Sequence, residues 1–281
     1  MSSTTTSRNQ LEATPSDQFF AWSTRLATGL ALLSFLLVLG QTITHTPLLG
    51  QAGRAEALLV IATAISTLLA QAKQLPGHKV LLSAVIVAVF GGGIHAAGHA
   101  TSIPFGPFSY AEAIGPIWFG WLAWPMPALW IIVVFNARGV ARLGLKPWRK
   151  TKTYGFWVIG VAAALVILFS LALDVFATKV AHYWFWLPTK FAFTWYGMPW
   201  TNPLGWALGT LVMLAFATPF MINKGPKSRR LPPDYHPLFV WVLLLGLFAT
   251  GAAMEKLWTA VALCAGIAIL SAGFAIRGAR W

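Results

Sequence analysis

The chain has 281 residues, of which 57% are hydrophobic and only 10% charged, whereas a soluble domain of ordinary composition carries about 25% charged residues. That deficit, together with long apolar runs, excludes an ordinary water-solvated domain and makes a bilayer the natural solvent. The net charge of +13 would suit a nucleic-acid binder, but the Lys and Arg residues fall in short loops between apolar runs, the pattern of positive-inside retention.

Residues 1–23 are rich in Ser, Thr, Asn and Gln and show no hydrophobic period; they are expected to form a disordered tail. They do not read as a signal peptide, because the first apolar run starts too far in and is too long. Residues 24–281 read as a single transmembrane domain. A spanning helix needs about 20 mostly apolar residues, and the candidate spans are 25–44, 55–72, 79–97, 113–135, 155–176, 204–222, 237–254 and 257–276. The expected fold class is therefore all-α, a polytopic membrane bundle of about eight helices. The last two spans are separated by a few residues around Glu255 and Lys256, which predicts a helical hairpin. Cys264 lies inside an apolar run and reads as a small packing residue.

Charge sets the expected orientation. Arg8, Arg25, Lys73, Lys79, the run from Arg138 to Lys152, the run from Lys224 to Arg230, Arg277 and Arg280 fall on one face of such a bundle. Only Arg54, Lys179, Lys190 and Lys256 fall on the other. This bias places both termini in the cytoplasm and locates the protein in the cytoplasmic membrane. It also brings the 98–112 and 177–203 loops to the same, opposite face.

Those two loops hold the unusual residues. The first lies within IHAAGHATSIPFGPFSYAEAIGP, Ile94 to Pro116. It has two of the six histidines, one of the seven acids, and a turn dense in Pro, Gly and Phe. The second lies within Thr178 to Trp206 and contains Tyr183, Trp184, Phe185, Trp186, Phe191, Phe193, Trp195, Tyr196 and Trp200. An interfacial belt needs only a few rings at each helix end, so this concentration reads as a half-buried, re-entrant or amphipathic segment with a Tyr-Gly turn. The tract Lys224 to His236 reads as a solvated loop.

Ionisable groups near hydrocarbon are functional candidates by default. Of the seven acids, Glu12 and Asp17 fall in the tail, Glu56 at a span start, Asp234 in a loop and Glu255 in the hairpin turn. Glu112, opening span 4, and Asp174, closing span 5, have apolar sequence close by. Glu112 also reads as a helix-start acid on the dipole, and Asp174 as a partner of Lys179 or a backbone cap. His95 and His99 are spaced i, i+4 and share a face if span 3 continues that far. Together with His182 they would suit a metal-dependent membrane hydroxylase, an alternative without an HExxH or a repeated ExxH behind it. Asn202 and Thr201 precede span 6 and also read as helix caps.

No Walker loop, GxGxxG, GxSxG or CxxC motif occurs, so neither a cofactor nor a metal is expected. The remaining kit of acids, histidines, aromatic faces and water suits proton-initiated chemistry on a hydrophobic alkene. Protonation of a trisubstituted terminal double bond gives a tertiary cation. Each desolvated aromatic face can stabilise it by about 2 kcal/mol, and water then adds.

The block from Pro104 to Pro116 (PFGPFSY, then an acid and GP) resembles the PFGxYxY-x-(Asp/Glu)-x-x-GP block of the carotenoid biosynthesis membrane proteins, the carotenoid 1,2-hydratases and their archaeal bacterioruberin-pathway relatives. Asp174, the Tyr183-Trp184-Phe185-Trp186 run and WYGMPWTNPLGW (Trp195 to Trp206) resemble that family's Asp, YWxW and YYGxPxxNxxGW blocks in the same order, over roughly residues 80 to 220. The sequence departs from the family pattern at His95, where relatives carry a glutamate three residues before the glycine. It departs again at Ser102 and Ile103 before the PFG, and at Ala177-Thr178-Lys179 after the aspartate. The resemblance implies a cofactor-free polytopic enzyme that adds water across the terminal double bond of a linear carotenoid.

The expected function is thus a membrane hydratase acting on a linear carotenoid or related polyisoprenoid. Glu112 and Asp174 are its candidate acid and base, and His95 or His99 would relay the proton or position water. Tyr110 and Tyr196 would orient groups in the cleft, and Asn202 would hold the water or the new hydroxyl. Phe105, Phe108, Trp184, Trp186, Trp195 and Trp200 would line the substrate site. Partners would be the polyene, membrane lipid and other carotenoid-pathway enzymes, and no nucleic acid. The reading from a different class is a non-catalytic carotenoid- or lipid-binding membrane protein.

Overall fold

A computed structural model describes residues 15–50, 53–189, 194–222 and 233–281. Lys190, Phe191, Phe193 and the basic run Lys224 to Arg230 fall outside the described residues. Hydrocarbon offers the backbone no hydrogen bonds, so long apolar runs must satisfy their own amides as helices. Among the described residues eight form: α1 (Pro15–Thr44), α2 (Arg54–Ala72), α3 (Gly77–Thr101), α4 (Met126–Gly144), α5 (Tyr154–Val175), α6 (Thr201–Ala217), α7 (His236–Met254) and α8 (Trp258–Ala279). Seven are long and apolar enough to cross a membrane, and α6 is shorter. Their outer surfaces carry large apolar side chains such as Phe156, Ile269 and Leu270. The chain is an all-α, multi-pass integral membrane bundle.

Helix α4 occupies the centre, packing on α2, α3, α5, α7 and α8, and 67% of its apolar window is buried against 28% for α1 and α8. Its buried face includes Trp130, Val134 and Phe135. The joint between α7 and α8 is the short hairpin expected from the spacing.

Four boundaries differ from the sequence expectation. Helix α1 begins at Pro15, inside the expected tail 1–23. The span expected at 113–135 is instead α4 at Met126–Gly144, because Pro116, Gly120 and Pro125 interrupt the helix and the apolar stretch before it folds as a 3-10 turn (Glu112–Ile114) and a hairpin. Glu112 therefore lies outside α4. Arg138 lies inside it, not in the following loop, and donates to the Met221 carbonyl at 3.1 Å. Helix α6 starts at Thr201, so Asn202 sits in its first turn and does not cap it; the N-cap is Trp200.

The end of the bundle that carries both aromatic loops is tied together by short strands. β1 (Phe108–Tyr110) pairs antiparallel with β4 (Trp184–Trp186) in the register Phe108↔Trp186 and Tyr110↔Trp184. β2 (Ile117–Trp118) pairs with β3 (Leu122–Ala123), and β5 (Thr194–Trp195) with β6 (Met198–Pro199). The described part of the aromatic loop is built from a π-helical turn, Phe176–Val180, followed by the strands β4, β5 and β6. The β5–β6 hairpin turns on Tyr196 and Gly197 at φ 51° and 95°, the two positive-φ residues that a type I′ turn needs.

Candidate functional site

Strand β4 owes its place to Asp174 near the end of α5. The carboxylate is buried. One oxygen accepts from the Trp184 indole at 3.1 Å, and Trp186 donates to both oxygens at 3.1 Å. A buried carboxyl group must find hydrogen-bond partners, and two indole N–H donors supply them here. Asp174 takes these bonds in place of a cap, and Lys179 acts on it through its charge. Through the β1–β4 ladder the same contact fixes Phe108 and Tyr110.

Below this ladder lies an aromatic box around His95, which is buried on α3. Phe105 wedges between α3 and α6 where both carry glycine. A methyl group on Gly98 would stand 2.5 Å from the Phe105 ring, and one on Gly205 would stand 2.8 Å away. The His95 ring contacts Phe105 (centroids 4.5 Å) and Trp206 (5.4 Å). Trp130 stacks on Trp206 at 4.1 Å and donates its indole N–H to His95 Nδ1 at 3.0 Å. A cavity of about 10 Å³ lies against His95, Phe105 and Trp206 of this box, with Phe108, Tyr110, Met126, Trp184, Trp186 and Asn202 completing its wall. Burial pushes the Tyr110 phenol above its ordinary value, offset in part by the Ala123 backbone. His99, one turn along α3, stacks on Tyr110 at 5.0 Å, so both histidines meet the PFGPFSY segment.

A second cavity, of about 780 Å³, runs into the bundle between α2, α4, α5 and α7. Its polar residues gather where Arg54, Glu56, Glu112 and Tyr183 line it, and its depth is Leu129, Ile132, Phe169, Leu173, Leu244 and Phe248. Ligand pockets of this size, mostly apolar with a few convergent polar groups, are the usual form of a binding site. Glu56 accepts a hydrogen bond from Gln41. Tyr183 stands beside it: burial first, and then the charge and hydrogen bonding of Glu56, push its phenol well above the ordinary value. Met126 and Trp184 line both cavities and form the partition between them.

The structure brings His95, Tyr110, Asn202, Phe105, Phe108, Trp184 and Trp186 together around the small cavity, and Glu112 with Trp184 at the large one. Asp174 lines neither, so the carboxylate that shares a cavity with Glu112 is Glu56. Tyr196 bonds Thr259 on α8, Trp195 donates to the Leu171 carbonyl at 3.1 Å, and Trp200 is 40% exposed at the start of α6; none of the three lines either cavity. His182 interacts with the Thr178 carbonyl, and among the described residues no three His, Cys, Asp or Glu side chains are placed to hold a metal. The hydroxylase constellation of His95, His99 and His182 is therefore not assembled. Sequence reading passed over Glu56 and the role of Tyr183. The available signal was that Glu56 begins a span at the same end as Glu112, beside the lone cation Arg54 of that loop.

A sequence profile described as "Carotenoid biosynthesis protein" matches residues 54–271. A curated relative, the bisanhydrobacterioruberin hydratase of Haloarcula japonica, is 30% identical over 169 residues, covering 59% of this chain and 54% of the relative. The chain thus spans about half the length of that relative. No solved structure matches. With the profile running through seven of the eight helices and both cavities, the chain belongs to the carotenoid biosynthesis protein family.

Proposed function

We propose that the chain is a membrane hydratase that adds water to the terminal double bond of a linear carotenoid or related polyisoprenoid. The observation that carries this reading is the pairing of Glu56 and Glu112 on the wall of one deep, aromatic-lined cavity. The polyene end enters the 780 Å³ cavity from the lipid, its double bond held among Trp118, Trp124, Phe176 and Trp184.

Glu112 gives its carboxyl proton to the less substituted alkene carbon. The π electrons form that C–H bond and leave a tertiary cation at the other carbon, which the rings stabilise by about 2 kcal/mol each when desolvated. The oxygen of a water forms the C–O bond, and its surplus proton passes to the Glu56 carboxylate, which Gln41 holds as an acceptor. Proton return from Glu56 to Glu112 through solvent at the mouth resets the pair. Asp174 acts as a positioning residue through Trp184 and Trp186, and His99 and Tyr110 brace the ladder. The excess of Lys and Arg at the other end of the bundle supports a cavity mouth on the non-cytoplasmic face of the cytoplasmic membrane, with both termini inside.

Purified protein in lipid, supplied with lycopene, tests the reading. The expected product gains the mass of one water, with about a 10²-fold or greater fall for Glu112→Gln and for Glu56→Gln, the range of a lost general acid or base. Pigment that binds and is recovered unchanged overturns the hydratase and leaves the carotenoid-binding reading in its place.

A further inference from the structure

The small cavity beside His95 has a donor, an acceptor and a volume that point to a specific occupant. His95 Nδ1 accepts from the Trp130 indole. An indole N–H is only a donor, so the imidazole proton must sit on Nε2. Asn202 spends its amide nitrogen on the Met198 sulfur at 2.8 Å, which leaves Oδ1 as an acceptor. Both residues are more than nine-tenths buried, both line the cavity, and among the described residues neither His95 Nε2 nor Asn202 Oδ1 has a protein partner. The Tyr110 hydroxyl at the same cavity is buried and has no partner among the described residues, and a buried donor or acceptor left unpaired costs about 1–3 kcal/mol. A cavity of about 10 Å³ matches the least volume that one water needs, roughly 10–15 Å³. The Tyr110 hydroxyl is a third polar group on this wall, and the rest is aromatic and apolar.

We infer that the His95–Asn202 cavity is a single-water site that supplies the nucleophile to the polyene cavity across the Trp184–Met126 partition. The assignment rests on the hydratase reading. His95 Nε2–H donates to the water oxygen and Asn202 Oδ1 accepts one of its protons, which leaves an oxygen lone pair free to attack. When a cation forms in the polyene cavity, the water leaves its site past the Met126 side chain, its oxygen makes the C–O bond there and its surplus proton goes to Glu56. If this water is lost, the cation has one remaining exit, return of a proton to carboxylate, which regenerates an alkene. The site therefore sets the partition between alcohol and alkene and leaves the protonation step untouched. Both residues are positioning residues, since they touch the water and not the carbon skeleton.

The test is turnover of lycopene in D₂O, reading alcohol formed and deuterium entering the recovered polyene. Wild type is expected to form mainly alcohol. Asn202→Leu is expected to lower the alcohol-to-exchange ratio at least 10-fold while deuterium still enters the polyene at near the wild-type rate. Because Leu could perturb folding, His95→Gln serves as the second variant; its amide can accept from Trp130 and donate to the water, and it is expected to keep the ratio within about 3-fold of wild type, where His95→Leu does not. An unchanged ratio in Asn202→Leu, or alcohol and exchange falling together in protein that still binds pigment, overturns the water site. Wild-type protein that exchanges or binds but never forms alcohol instead overturns the hydratase reading on which the site depends. A high-resolution experimental map showing no solvent within hydrogen-bond reach of Asn202 Oδ1 also overturns it.

Discussion

The indole of Trp130 donates to Nδ1 of His95 across 3.0 Å, and this one bond decides which imidazole nitrogen faces the small cavity. Trp130 is fully buried on α4, wedged where α3 carries Gly91 and stacked on Trp206 from α6. Three helices thereby set one tautomer.

Trp130→Phe keeps a ring in place but leaves the His95 Nδ1 acceptor without its donor. A loss of about 1–3 kcal/mol is expected from the unpaired acceptor, visible as a lower thermal midpoint in detergent. An unchanged midpoint would show that the bond contributes nothing to folding.

Asp174→Asn conserves size and replaces one acceptor oxygen with an amide that points its own N–H groups at an indole donor. Leaving a buried indole donor without its acceptor costs about 1–3 kcal/mol. The β1–β4 ladder is expected to loosen, with red-shifted tryptophan emission as Trp184 and Trp186 become wetter. Wild-type emission and stability would contradict the positioning role.

The buried phenols predict an alkaline limb. Tyr183 and Tyr110 are held above the ordinary value of 10.0, by burial in both and additionally by Glu56 at Tyr183. Below about pH 10 both states keep the proton, so stability is unaffected. Above it the unfolded chain ionises first and binds fewer protons, so stability falls as pH rises. Tyr183→Phe is expected to reduce that slope by about 1.4 kcal/mol per pH unit in unfolding measured between pH 10 and 11. An identical slope in the variant would place Tyr183 in water.

Thr63 on α2 lines the large cavity with a buried hydroxyl that has no partner among the described residues, whereas Thr24, Thr28, Ser34, Thr42, Ser83 and Thr210 bond back to the carbonyl four residues earlier. Thr63→Val keeps the shape and removes the unpaired group. Stability is expected to rise by about 1 kcal/mol, and a fall of that size would reveal a hidden partner for the hydroxyl.

Two glycines of α3 should respond oppositely to the same change. Gly98→Ala drives a methyl into the Phe105 ring and is expected to cost about 1–3 kcal/mol. Gly93→Ala meets nothing within 4 Å and is expected to gain about 0.5–1 kcal/mol from better helix propensity. Equal effects at both positions would mean that Phe105 is not clamped between α3 and α6.

Much of the architecture was legible in the amino-acid order. Seven of the helices follow the apolar runs closely, since each run must satisfy its own backbone in hydrocarbon. The exception is instructive: residues 113–125 are as apolar as a span, yet Pro116, Gly120 and Pro125 turn them into a 3-10 turn and the β2–β3 hairpin, and hydropathy alone does not distinguish the two. The PFGPFSY and Tyr-Trp-Phe-Trp blocks stood out by composition, and they do converge, through a ladder whose register no local pattern announces.

The one-dimensional order determined a helical membrane protein of the carotenoid biosynthesis family, because apolar length and short motif blocks are properties of neighbouring residues. Only the tertiary structure decided which side chains meet. It put Glu56 beside Tyr183 and on the same cavity as Glu112, turned Asp174 to two indoles, and closed three helices on the His95 tautomer. Asp174 and its indoles are only 10 and 12 residues apart, but the other pairings join residues far apart in the chain, and only packing brings them within hydrogen-bond or cavity reach.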